Sequence, residues 1–163
     1  MAKLEIREDV SVEDLTDEEK EALKETARRV MKEGEELQDV LGITDDYVET
    51  MEFYAHHLYK HNKMEEAGTL LEGVIALDKT RHYPYLLAGD IAMQEEQWED
   101  AIQLLGAALH FGPEDPMIEG KLGESLLRAG RTKDAVFHLK KAIVFSDDDD
   151  DKYARRSRVL LEL

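Results

Sequence analysis

Cysteine is absent from the 163 residues, so neither a disulfide framework nor a thiolate zinc site is available. Bases are scarce, 21 against 38 acids, which leaves a formal net charge of −17. A field of that sign repels nucleic acid and anionic membrane, so neither is expected as a partner. No apolar run reaches transmembrane length, and the N-terminus has no apolar signal core. A cytoplasmic protein is expected. Only three prolines interrupt the chain, which favours long helices. The acidity is uneven: residues 1–50 hold 17 acids and 7 bases, and the remainder holds 21 and 14.

What is present is a repeat. Ala67, Ala101 and Ala135 stand 34 residues apart, behind Lys63-Met64-Glu65-Glu66, Gln97-Trp98-Glu99-Asp100 and Arg131-Thr132-Lys133-Asp134. Twelve residues before each alanine stand Ala55, Gly89 and Gly123. Four after stand Leu71, Leu105 and Leu139, and seven after stand Val74, Ala108 and Ala142. Ten after stand Leu77, Phe111 and Phe145. Two antiparallel helices approach closely only where side chains are small, and the large residues fill the space between neighbouring hairpins. The period and the small-residue register are those of tetratricopeptide repeats, over 48–81, 82–115 and 116–149. The expected fold is all-α: three tandem helical hairpins in a right-handed superhelix.

The flanks are read as helical too. Residues 1–43 form an N-terminal arm and helical segment, 44–149 the repeats, and 150–163 a C-terminal capping helix. Thr16 and Glu19 make a capping box. Leu23, Ala27, Val30 and Met31 form one apolar stripe, with Gly34 as the stop. A short helix to Leu41 turns Leu37, Val40 and Leu41 inward and ends at Gly42. Asn62 is read as the cap of the helix that follows it, and Asp115-Pro116 as a helix start. Gly130 is read as left-handed. Asp147 to Asp151 reads as a helix start rather than a calcium loop, since the loop's glycine and distal glutamate are missing. Tyr153, Leu160 and Leu163 are placed on the last repeat's apolar face.

Catalytic chemistry has no visible constellation. His57 and His61 are spaced i,i+4 beside His56, but no third metal ligand is evident. His82, His110 and His138 are 28 apart, out of step with the repeat. Gly120-Lys121 lacks the glycine and hydroxyl of a phosphate loop. No enzyme activity, metal or cofactor is expected.

The first helix of each hairpin lines the concave side of such a stack. Its face carries Glu52, His56 and Tyr59 in repeat one. Repeat two supplies Tyr83, Leu86, Asp90 and Met93. Repeat three supplies Met117, Glu124, Leu127 and Arg128. Six large apolar residues on one concave face need cover, either from a ligand or from the N-terminal helix. An extended peptide could set its backbone against Asp90, Glu124 and Arg128. Its side chains would then enter between Tyr59, Tyr83, Leu86, Met93, Met117 and Leu127. The stripe at residues 16–41 lies outside the repeats, and a homodimer through it is expected.

From Gly34 to Phe145 the chain resembles the class II chaperones of bacterial type III secretion. Gly34-Glu35-Glu36-Leu37-Gln38-Asp39-Val40-Leu41 precedes the repeats. The helix from Asp46 to His61 leads into Lys63-Met64-Glu65-Glu66-Ala67 and then Leu77-Asp78. Repeat two departs, with Leu86-Leu87-Ala88-Gly89 where the family usually has a Gly-Leu-Gly run. The resemblance implies a cytoplasmic chaperone that holds a hydrophobic translocator by an extended, proline-containing segment in the groove. A general scaffold joining two protein partners is the alternative.

Overall fold

The computed structural model describes residues 15–146 and 151–162. The chain divides into two compact units, 1–44 and 45–163. The arm ahead of Leu15, the acidic run 147–150 and Leu163 lie outside the described residues. Among the described residues there is helix and no strand.

In the first unit, α1 spans Asp17–Arg28 and continues as a π turn over Arg29–Glu33. The Glu19 amide donates to the Thr16 hydroxyl at 3.2 Å, and the Thr16 amide donates to the Glu19 carboxylate at 2.7 Å, closing the capping box. Gly34, at φ 73°, stops the helix, because an L side chain resists that conformation. The short α2, Leu37–Leu41, ends at Gly42. Leu41 faces solvent rather than turning inward, and Gln38 is the buried residue of that turn. Leu23 and Met31 of the apolar stripe are exposed.

The second unit contains α3 (Asp45–Lys60), α4 (Met64–Leu77), α5 (His82–Gln94), α6 (Trp98–Phe111), α7 (Pro116–Arg128), α8 (Thr132–Val144) and α9 (Lys152–Leu161). They pack as hairpins α3–α4, α5–α6 and α7–α8, each stacked on the next, with α9 against both α7 and α8. The small-residue register is the packing register. Ala55, Ala67, Ala101, Ala135, Val74, Ala108 and Ala142 are fully buried, as are Leu71 and Leu105. A Cβ on Gly89 would sit 2.9 Å from Leu105, and one on Gly123 would sit 2.7 Å from Leu139. Of the large residues ten after each alanine, Leu77 and Phe145 are half-buried and Phe111 is exposed. Phe111 stacks on Tyr85, with centroids 5.6 Å apart.

The hairpin turns repeat atom for atom. Asn62, Glu96 and Gly130, 34 apart, all adopt left-handed φ of 59°, 59° and 77°. The next amide, of Lys63, Gln97 or Arg131, donates back to Leu58, Ala92 or Leu126 at 2.8–3.0 Å. This is the Schellman closure of a helix C-terminus. It corrects the reading of Asn62 as a helix N-cap: Asn62 ends α3, and Lys63 precedes α4 without a side-chain cap bond. Asparagine tolerates the left-handed region about as well as it caps, so composition alone does not separate the two roles.

Two helical glycines in different surroundings should respond oppositely to alanine. Gly123→Ala should lower stability by about 1–3 kcal/mol, because the Leu139 backbone nitrogen, 3.0 Å from the new Cβ, cannot rotate away. Gly68, in α4, meets nothing within 4 Å, so Gly68→Ala should stabilise by about 0.5–1 kcal/mol. Urea midpoints of the two variants would check this, and the same sign for both would contradict the packing described.

Pro116 opens α7, and the Asp115 carboxylate accepts from the Met117 amide at 2.7 Å. Asp151 caps α9, accepting from the Tyr153 and Ala154 amides at 2.9 and 2.8 Å. The buried residues of α9 are the small Ala154 and Ser157. Tyr153 and Leu160, expected as the cover, are only partly buried. Gly120 explains this: a Cβ there would lie 3.3 Å from the Ser157 hydroxyl, so α9 meets α7 along a line of small residues.

Candidate functional site: the concave face

The first helices α3, α5 and α7 place the expected residues in three settings. Near the start of the stack, the Tyr83 hydroxyl and His56 Nδ1 are 2.5 Å apart. Glu52 accepts from Arg81 Nε at 2.7 Å, and Asp45 and Glu49 lie 3.6 and 3.9 Å from the same guanidinium. The hydrogen bond that Arg81 donates to Glu52 holds its guanidinium even more firmly protonated than usual. Burial, with the Glu52 and Asp90 charges, pushes the Tyr83 phenol up.

Further along, Tyr59, Asp90, Met93 and Glu124 line one cavity of about 260 Å³. Gln94, Gly120 and Lys121 from the repeats complete it, with Tyr153, Arg156 and Ser157 from α9. Its polar groups are already engaged. Lys121 Nζ donates to both Asp90 oxygens at 2.5 Å. Arg156 Nε donates to Glu124 at 2.6 Å, and Gln94 donates to the Tyr59 hydroxyl at 2.6 Å. Burial and the Asp90 charge raise the Tyr59 phenol. The Ser157 hydroxyl is buried without a hydrogen-bond partner among the described residues.

The remaining residues stand apart from that cavity. Leu86 is 6% exposed and sits in the core with Leu105, Ala108, Ile118 and Leu122. Met117 and Leu127 pack half-buried against the same core. Arg128 is exposed, 4.0 Å from Glu124 and over the Trp98 ring at 5.8 Å. Two features were not legible in advance. Lys121 pairs with Asp90 across 31 residues, off the repeat period, and α9 supplies a wall of the cavity. The signal for α9 was its alternation of bases with small residues, which marks a helix that faces both carboxylates and a tight contact.

Chemically, the face offers half-buried aromatic and thioether surface interrupted by neutralised ion pairs. Among the described residues no group of three side chains could hold a metal ion. His57 and His61 instead stack, with ring centroids 4.1 Å apart. No described helix is long and apolar enough to cross a membrane.

No protein-family model matches the chain, and no curated protein matches it. Solved structures do. A type III secretion complex from Aeromonas hydrophila aligns with a TM-score of 0.74 at 18% identity, over 85% of this chain and 93% of that one. The Yersinia enterocolitica type III secretion chaperone SycD, in complex with a peptide of the translocator YopD, aligns at 0.68 and 21% identity, over 74% and 93%. YrrB, a tetratricopeptide protein with an unusual peptide-binding site, aligns at 0.59 and 24%, over 61% and 51%. The chain therefore has the all-α tetratricopeptide-repeat fold, and translocator chaperones of type III secretion are among its structural neighbours.

Proposed function

We propose that this protein is a chaperone that holds a hydrophobic translocator through an extended segment laid along the concave face. The carrying observation is the half-buried row Tyr59, Tyr83, Met93, Met117 and Leu127 on the first helices of a fold shared with a peptide-bound translocator chaperone. Two or three buried apolar anchors, each worth about 1.5–3 kcal/mol, supply the affinity. Proline in the client would lower its ordering cost, because such a segment is already stiff. The carboxylates at Asp90 and Glu124 are neutralised by Lys121 and Arg156, so the contact is chiefly apolar and resists salt. A second copy is proposed to pair through residues 16–41, where Leu23 and Met31 stand exposed.

The client should be recovered by co-purification from the source cells, and peptides from it titrated against the full chain. Tyr59→Ala with Met93→Ala should weaken binding at least tenfold at both low and high salt, with helical content unchanged. Binding that collapses with salt yet survives the double variant would move the site onto the acidic surface. A client that is a soluble folded protein docking elsewhere would favour a scaffold. Deletion of residues 1–32 should turn a sedimenting dimer into a monomer; a full-length monomer at micromolar concentration would remove the dimer.

A further inference from the structure

Away from the concave face, α4, α5 and α6 enclose a groove of about 630 Å³. Its α5 side is Ala88, Ile91 and Ala92, with Glu95 at the C-cap of the helix. At about 100° per residue these project on the side of α5 opposite Tyr83, Asp90 and Met93. The floor is apolar and deep because Gly68, Ala88 and Ala92 are small, with Ile91 and Leu104 beside them. Gly68 has no neighbour within 4 Å of where its side chain would stand. The lining includes four carboxylates, Glu65, Glu72, Glu95 and Asp100, and no base. All four are exposed, and none is in an ion pair among the described residues.

We infer that this groove docks a cationic amphipathic helix of a partner protein. The floor is made of Gly68, Ala88, Ile91, Ala92 and Leu104, with none of the polar side chains that Asp90, Lys121 and Glu124 bring to the concave face, so an extended strand would find no partners there for its backbone groups. A helix brings its own backbone bonds satisfied and needs only apolar surface and flanking charge. Glu65 and Glu72 are seven residues apart on α4, about 10 Å along the axis, the spacing of bases two turns apart on a partner helix. Small floor residues let that helix approach closely. Phosphate-bearing ligands are repelled by the rim. A second copy of this chain carries the same net charge of −17, so the acidic rim disfavours it in this groove, which leaves pairing through residues 16–41 untouched. The site is separate from the concave face, so it can be filled while an extended segment occupies the other side.

The test uses the full chain and a fluorescein-labelled 18-residue amphipathic peptide of leucine and lysine, read by anisotropy. Wild type should bind it and should not bind the same peptide with glutamate for lysine. Glu72→Lys with Glu95→Lys should weaken binding at least tenfold. Asp46→Lys with Glu162→Lys changes the net charge equally at exposed positions that do not line the groove, and should change binding less than twofold. Gly68→Trp fills the groove without altering charge and should also weaken binding at least tenfold. Tyr59→Ala with Met93→Ala should leave it unchanged, which separates failure here from failure of the chaperone reading. Circular dichroism checks that each variant stays helical. Equal weakening by both charge reversals would reduce the effect to general attraction by an acidic protein and overturn the inference. So would full binding by Gly68→Trp, or groove-dependent self-association that excludes the peptide. If Gly68→Trp loses its helix, the paired reversals decide the matter alone.

Discussion

Leu86→Asp should abolish the cooperative unfolding transition, rather than remove a client while leaving the fold intact. Sequence spacing puts Leu86 on the concave side of α5, where it was expected to anchor a bound peptide. In the folded chain it is 6% exposed and packs against Leu105, Ala108, Ile118 and Leu122, at the junction of the second and third hairpins. Removing the leucine side chain costs about 2–5 kcal/mol in such a position. An unpaired carboxylate left in its place adds several more. The total approaches or exceeds the roughly 5–15 kcal/mol of net stability a domain usually has. Thermal and urea unfolding followed by circular dichroism would check it. A sigmoidal transition within a few degrees of wild type would show that Leu86 is not core. The contrast is Met93, partly exposed beside the cavity, whose truncation should cost far less stability.

Lys141→Met should destabilise the protein by about 3–5 kcal/mol near neutral pH, and most of that loss should vanish in acid. Glu119, on α7, has no accessible surface. His138 Nδ1 is 2.6 Å from one of its carboxylate oxygens, and Lys141 is ion-paired to the other. Burial works to raise the Glu119 carboxyl, but the bonds from His138 and Lys141 outweigh it and hold it below the usual range. A depressed carboxylate contributes stability that is fully present above its unfolded pKa, about 4.3, and is lost as pH falls through the folded value. Removing Lys141 takes away one of the two stabilising partners and lets burial dominate. The variant's Glu119 then protonates at higher pH than in wild type, so the gap between the two proteins narrows as pH falls through the variant's value and closes once it is below the wild type's depressed one. Methionine keeps an unbranched apolar stem in place of lysine's and removes the ammonium, which also lies 5.1 Å from the Phe145 ring centroid. Urea midpoints at pH 7 and pH 4 are the measurement. Adding Glu119→Gln to Lys141→Met should restore part of the loss at pH 7. A double variant no better than the single would mean that packing, and not an orphaned charge, sets the cost.

The sequence by itself determined the small-residue register that repeats. Ala67, Ala101 and Ala135 recur because each hairpin faces the same neighbour in the same way, so one set of contacts is written three times. The Thr16–Glu19 box and the Asp115-Pro116 start were legible for a different reason: they are local, settled within one helical turn. Tertiary structure decided what occurs once. The placement of α9 depends on Gly120 and Ser157 meeting across more than thirty residues, with no second copy to reveal a pattern. Leu86 and Met93 share a helix face seven residues apart, and only the position of the next hairpin buries the first while leaving the second partly open. Glu119 reads as one more acid in an acidic chain. Its burial follows from which side of α7 meets α8, and its charge persists there because His138 and Lys141 come from that other helix. Helical period tells which residues share a face; what covers that face is fixed by elements far away in the chain, through contacts that no local pattern encodes.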